Sequence, residues 1–364
     1  MFLLSSLTIG GSERKSVRLA NALAASNRQT AIAYLSPPES LLPQIHPAVA
    51  TVNLQRRGKF SIAALRRLAG LLIECNVGTL VAMNLYASLY AVLAARLWRI
   101  AALRVAVSVN TTEFATRKEE RQMLLYRHVL RRADVVIFGA ERQRELWSSR
   151  YRLDRSSARQ VVLYNGVDTS EFSRADIAPA VPREPAGRVT LGTVGAFRLE
   201  KAQIDLVRAV GELTARGADV AALIVGDGPE RAQIEREIRR LGVDERVRLV
   251  GKTQDVRPYL ASMDIFVLPS VAVETFSNAV LEAMAMSCPV VVSQVGGMDE
   301  MLRFGGGVSY PPGDVKSLCD LLLPLVSSAA ARTELGAQAR AAAEQHFSFA
   351  RMLSNLTEHV LAAP

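Results

Sequence analysis

Cysteine and histidine are scarce. The 364 residues include three cysteines, Cys75, Cys288 and Cys319, far apart in the chain, and four histidines. No metal-ligand spacing links any of them. Neither a zinc site nor a disulfide framework organises the chain, and the thiols read as reduced cysteines of a cytosolic protein. No secretory signal is visible in these residues: Met1–Ser6 is apolar but too short, with no basic start and no cleavage site. Only Asn76–Ala95 has the length and lack of charge of a membrane span. It holds Gly78, Asn84, Tyr86 and Ser88, and it divides into a strand at Thr79–Met83 and a helix at Tyr86–Leu97. Repeats of fixed period and low-complexity tracts are absent.

What is present is apolar residue in quantity and an uneven charge. A hydrophobic fraction of 49% over this length supplies two buried cores and argues against disorder. Residues 1–180 carry 25 Lys and Arg against 13 Asp and Glu, a balance of +12, whereas residues 181–364 carry 19 against 22. A basic half implies an anionic partner. No helix-turn-helix, zinc-finger spacing or aromatic RNA-binding signature accompanies the charge, which argues against nucleic acid. An anionic membrane surface or a phosphate-bearing acceptor fits better, through Arg56, Arg57, Lys59, Arg66 and Arg67 and through Arg117, Lys118, Arg121, Arg131 and Arg132.

Short Val-, Ile- and Leu-rich runs alternate with amphipathic stretches, the pattern of parallel sheets covered by helices on both faces. Strands are expected near Phe2–Ser5, Thr30–Leu35, Ala50–Leu54, Thr79–Met83, Arg104–Val109, Asp134–Phe138 and Gln160–Leu163. A proline-containing stretch, residues 174–188, reads as a linker. A second series follows near Thr190–Val194, Ala221–Val225, Val247–Val250, Ile265–Leu268 and Pro289–Val292, and Ala329–Ala363 reads as helix. The class is α/β, with two Rossmann-like doubly wound domains facing each other across a cleft. Boundaries fall at 1–175 and 188–345, with a terminal helix at 346–364.

Three motifs carry chemistry. Gly195-Ala196-Phe197-Arg198-Leu199-Glu200-Lys201 follows a strand and precedes a helix. Arg198 and Lys201 beside a helix N-terminus suit a diphosphate. Gly226-Asp227-Gly228-Pro229 follows the next strand. It either touches a ligand or only shapes the loop, with Pro229 suited to a first helical position. Glu274 and Glu282 bracket seven residues. Ser277 or Asn278 can cap the helix that carries Glu282, and Phe276, Ser277 and Asn278 present backbone N–H groups between the two carboxylates. Hydroxyl-binding carboxylates at both ends of an anion-binding turn suit a nucleotide sugar. A paired-carboxylate hydrolase is the weaker reading, because a basic setting does not keep a carboxylic acid protonated.

With these residues stated, nearly the whole chain resembles the retaining glycosyltransferases of family four, which have the GT-B fold. Gly10-Gly11-Ser12-Glu13-Arg14, Tyr164-Asn165-Gly166-Val167-Asp168 with Phe172, Arg198 with Lys201, Gly226–Pro229, the Glu274/Glu282 pair, and Val295-Gly296-Gly297 with Glu300 follow the family's order. The resemblance implies that Arg198 and Lys201 neutralise the donor diphosphate and that Glu274 holds sugar hydroxyls. Glu282 would bind the ribose, with Gly226, Phe276, Ser277 and Asn278 lining the nucleotide-sugar site. Gly10 and Gly11 would let backbone approach the donor phosphate. The terminal helix would cross back onto the N-terminal domain.

The resemblance further implies no cofactor and no metal, with a UDP- or GDP-sugar as donor substrate and a glycan or lipid-linked acceptor. The setting would be cell-surface polysaccharide or lipopolysaccharide synthesis, in the cytoplasm or peripherally at the inner face of the cytoplasmic membrane. No Asp-x-Asp, the metal–diphosphate clamp of the other glycosyltransferase fold, occurs in the chain. Asn110 stands where many relatives carry His. It can hydrogen-bond a sugar but cannot move a proton at neutral pH, so either the proton transfer is minor, or Glu113 takes part, or activity is low. The alternative is therefore an inactive relative serving as a binding or scaffold subunit. A dinucleotide-dependent oxidoreductase would need Gly-x-Gly-x-x-Gly after the first strand, which Gly10-Gly11-Ser12-Glu13 does not supply.

Overall fold

The computed structural model describes the chain apart from Ala101, Thr111, 113–116, 182–186 and 363–364, and apart from the side chains of residues 117–119. Glu113, the side chains of Arg117 and Lys118, and residues 182–186 of the proline-containing stretch lie outside the described residues. The chain divides into two compact units, Met1–Leu163 with Leu353–Pro364, and Tyr164–Met352.

The first unit holds β1 (Phe2–Leu4), β2 (Ala31–Tyr34), β3 (Ala50–Asn53), β4 (Thr79–Ala82), β5 (Arg104–Val109), β6 (Val135–Phe138) and β7 (Arg159–Val162). They form one parallel sheet in the order β3-β2-β1-β4-β5-β6-β7. The charge-free stretch divides as its sequence predicts, into β4 and a helix at Leu85–Leu97. Asn84 starts that helix by accepting a hydrogen bond from the Ala87 N–H at 2.8 Å, and Ser61 does the same for Ile62–Glu74 at 3.2 Å. Leu65, Leu68 and Leu72 of one helix and Tyr90, Ala91 and Ala94 of the other share one buried cluster with the sheet. Each such leucine contributes about 1.5–3 kcal/mol. Among the described residues no helix is long and apolar enough to cross a membrane.

The second unit holds β8 (Val189–Val194), β9 (Val220–Val225), β10 (Val247–Gly251), β11 (Ile265–Leu268), β12 (Val290–Ser293) and β13 (Gly307–Tyr310). The order is β10-β9-β8-β11-β12-β13, again wholly parallel. β9, β11 and β12 are buried at every position, as unbroken aliphatic runs demand when helices cover both faces. β13 is the strand that sequence reasoning missed. It is short, Gly305-Gly306 precedes it and Pro311-Pro312 follows, so it reads as loop. The tail is not one helix. Ala329–His346 stops at Phe347-Ser348, Phe349–Leu356 follows, and a π turn at Thr357–Leu361 ends the described chain.

Of the cysteines, Cys75 is exposed while Cys288 and Cys319 are buried. Burial pushes the Cys288 thiol up to about 12 and that of Cys319 up to about 11. Since the thiolate is the reacting form, one thiol of the native protein should label rapidly with maleimide at neutral pH, and three after denaturation. Rapid native labelling of two or more would contradict this packing.

Candidate functional site

In both units the strand order reverses beside the first strand, between β1 and β4 and between β8 and β11. Loops that leave such a pair diverge and open a crevice at the carboxyl edge. In the second unit the loop after β8 is tied to its neighbours. Gly195 N–H donates to the Val225 carbonyl at 2.9 Å, and Phe197 N–H to that of Asp227 at 3.0 Å. Phe197 is fully buried, which turns its neighbour Arg198 outward. The Arg198 side chain is 64% exposed, and Glu200 lies 3.9 Å away. The helix does not begin at once. A 3-10 turn, Leu199–Lys201, and Ala202 in the left-handed region come first, and the helix is Gln203–Ala215.

Lys201 reaches from this turn to the Glu274 carboxylate on the loop after β11. Glu274 is buried, and its Oε1 also accepts from the Ser270 hydroxyl at 2.8 Å. The two loops are joined again where Val271 N–H donates to the Glu200 carbonyl at 2.9 Å. A buried carboxylate tolerates desolvation only when charge and hydrogen bonds compensate it, and Lys201 and Ser270 supply both. Val273, just before Glu274, has φ +58. A β-branched residue there is strained, and such strain collects at functional loops. The loop after β12 braces it: Gly297 N–H donates to Thr275 O at 2.8 Å, and Gly296, at φ +62, lies so close that an added Cβ would sit 2.1 Å from Glu274 O.

The helix Asn278–Ala285 follows. Ser277 occupies the cap position but makes no side-chain capping bond, and Asn278 is already helical. The expected side-chain cap is therefore absent, which leaves the first-turn N–H groups to other acceptors. Glu282 lies about one turn further along and is half-buried. Arg198, Lys201, Glu274 and the Phe276–Glu282 segment thus share one carboxyl edge, with Lys201 and Glu274 in contact.

Gly226 is packed tightly against the neighbouring loop. At φ +137 an added Cβ would lie 1.9 Å from Gly195 O, and one on Gly228 would lie 2.4 Å from Phe197 O. The loop after β9 is shaped to pack on the loop after β8. Pro229 does not open a helix, because Arg231–Leu241 begins two residues later. In the first unit, Gly10 is extended (φ −141) before the helix Gly11–Ala25. Neither Gly10 nor Gly11 is among the residues at positive φ; the room Gly10 leaves is taken by the Glu13 carboxylate. Asn110 is exposed at the end of β5, but its amide braces the sheet: Oδ1 accepts from the Ser108 hydroxyl at 3.0 Å, and Nδ2 donates to Met83 O. One N–H and one lone pair are left for a ligand.

Two family models match. One, described as Glycosyltransferase Family 4, covers residues 9–171, and one described as Glycosyl transferases group 1 covers residues 188–328. The chain belongs to the family-four glycosyltransferases. It is 30% identical over 162 residues to the N-acetyl-alpha-D-glucosaminyl L-malate synthase of Bacillus anthracis, covering 44% of this chain and 42% of the relative. It is 30% identical over 222 residues to a GDP-mannose-dependent mannosyltransferase of monoacylated phosphatidylinositol monomannoside from Corynebacterium glutamicum, covering 56% of each. The chain spans about half the length of the curated relatives it matches. The crystal structure of Anabaena HepE in complex with UDP superposes with a TM-score of 0.83 at 19% identity, over 100% of this chain and 99% of that one. The fold class is GT-B.

Sequence reasoning missed Ser270 and Ser293. Ser270 steadies Glu274, and the Ser293 hydroxyl donates to Ser270 O. Their signal was slight: a serine at or just past the end of each of two adjacent strands. Gly226→Ala should cost about 2–3 kcal/mol, the sum of left-handed strain and a backbone clash. Urea unfolding measures it, and a loss below 0.5 kcal/mol would disprove the close packing of the two loops.

Proposed function

We propose that the chain is a retaining, metal-independent glycosyltransferase that moves a sugar from a UDP- or GDP-linked donor to a glycan or lipid-linked acceptor in cell-surface polysaccharide synthesis. The observation that carries this reading is the Lys201–Glu274 pair at the strand-order reversal of the second unit, with Arg198 exposed on the same loop. Support for the substrate classes comes from the Corynebacterium relative, named for GDP-mannose and a phosphatidylinositol mannoside, and from the UDP held by HepE.

In the proposed reaction the bond between the sugar C1 and the diphosphate oxygen breaks, and the electron pair leaves with the diphosphate. Arg198, Lys201 and the amides at the start of Asn278–Ala285 meet the charge that builds there. Glu274 orients sugar hydroxyls and Glu282 the ribose. The acceptor hydroxyl bonds to C1 on the face the diphosphate leaves, and its proton passes to the departing phosphate oxygen. This route asks no proton transfer of Asn110, which orients the acceptor side. The scaffold alternative rests only on Asn110 replacing His, and no observation favours it.

Arg198→Ala and Lys201→Ala should each lower transfer about 100- to 1000-fold, as loss of a preorganised positive group commonly does. Arg198→Ala should leave the melting temperature unchanged because its side chain is mostly solvated, whereas Lys201→Ala leaves a buried carboxylate without its cation and should lower it. Thermal shifts with UDP-, GDP- and ADP-sugars identify the donor first. Near-normal turnover by both variants would refute the assignment.

A peripheral position on anionic membrane is the proposed setting. Leu124 and Leu125 are 61% and 59% exposed beside exposed Arg121, and Phe60 and Ile62 are exposed beside Arg57, Lys59 and Arg66. Other cations of these clusters serve internal acceptors: Arg56 binds Ser36 Oγ, Arg67 binds Leu54 O, Arg131 binds Arg152 O and Arg132 binds His128 O. Exposed basic side chains near an anionic surface give about 1 kcal/mol each. The protein should pellet with phosphatidylserine vesicles at low salt and be released by high salt or by Leu124→Asp with Leu125→Asp. Equal pelleting with phosphatidylcholine would remove this setting.

A further inference from the structure

The segment Tyr164–Arg174 opens the second unit, and the proposed chemistry gives it no part. Its contacts run along the helix Asn278–Ala285 from end to end. At the front, the Tyr164 ring stacks on Phe276 with centroids 4.7 Å apart, and Asn165 Nδ2 donates to the Phe276 carbonyl at 2.9 Å. The Tyr164 hydroxyl bonds Glu300 at 2.9 Å. Glu300 stands in the short helix that follows Gly296-Gly297, the pair bracing Glu274 and Thr275. Tyr164 therefore holds the loops after β11 and β12 at once. Phe347 closes the cluster edge-on, 5.3 Å from Phe276 and 5.9 Å from Tyr164.

At the rear, Arg174 Nε donates to Met286 O at 3.0 Å. Arg340 links Phe172 O, at 2.7 Å, to Ala285 O. Both guanidinium groups thus sit on the last carbonyls of the helix, where cations complement its dipole. Between the two ends, Val167 exchanges hydrogen bonds with Phe347 O and Phe349 N–H at 2.9 and 2.8 Å.

We propose that Tyr164–Arg174 is a splint for the donor-binding helix, and that Tyr164 and Asn165 are positioning residues for donor recognition. Neither touches the donor. They fix where Phe276, Ser277 and Glu282 stand relative to Glu274. The inference rests on the donor assignment made above. Groups that must hold an ordered ligand lose affinity steeply when their support loosens; a displacement of about 1 Å can cost roughly a hundredfold in rate.

The test is calorimetric titration of the full chain with UDP, GDP and ADP, beside melting curves. Asn165→Ala and Tyr164→Ala should weaken the nucleotide that the unmodified protein binds by roughly tenfold or more. Tyr164→Phe keeps the stack and loses the hydroxyl's bond to Glu300, and should fall in between. Ser328→Ala removes the side-chain cap of the helix Ala329–His346, outside this segment. It should lower the melting temperature with affinity unchanged. If Tyr164→Ala and Asn165→Ala melt lower but bind as tightly as the unmodified protein, the segment is merely structural and the inference fails while the donor assignment stands. If the unmodified protein binds none of the three nucleotides, the donor assignment fails first and takes the inference with it.

Discussion

A sheet whose strands all run one way delivers every loop that follows a strand to the same edge. In the second unit that constraint places the turn with Arg198 and Lys201, the loop with Glu274 and the Gly296-Gly297 brace side by side, although they lie far apart in the sequence. Strand order then decides which loops adjoin. Because β8 lies between β9 and β11, the loop after β8 can pack on Gly226 and Gly228 on one side and join Glu274 on the other. Reordering the strands would leave every motif intact and separate the charges.

The Lys201–Glu274 pair itself is costly. Ions removed from water lose several kcal/mol of solvation each, and a buried pair often does no better than breaking even. The strained Val273 beside it adds to the cost. The surrounding aliphatic core, with β9, β11 and β12 buried throughout, offsets both. Stability has been placed in the strands and spent at their ends, a common distribution where a loop must hold polar groups ready for a ligand.

Much of this was legible in the sequence, for local reasons. Unbroken runs such as Val220–Val225 and Ile265–Leu268 fit only buried parallel strands, and Gly, Pro and short polar residues marked their ends. β13 was illegible because its pairing partner β12, and not its own glycine-rich composition, makes it a strand. Gly226 shows a different limit. The sequence marks it as special, but only coordinates reveal that the neighbour is Gly195 O and that no ligand is needed to explain it. Asn110 likewise could be named from its place after β5, whereas its engagement with Ser108 and Met83 depends on β4 lying next to β5. The roles of Tyr164 and Asn165 depend on partners more than a hundred residues away, beyond what spacing can convey.

The division of the chain has a consequence for its biogenesis. The first unit consists of Met1–Leu163 together with Leu353–Pro364, in which Leu356 and Val360 are buried. On a ribosome, the whole of the second unit must emerge between Leu163 and the segment that starts at Leu353. The first unit therefore stays incomplete through that interval, a period in which it is open to chaperones and to aggregation.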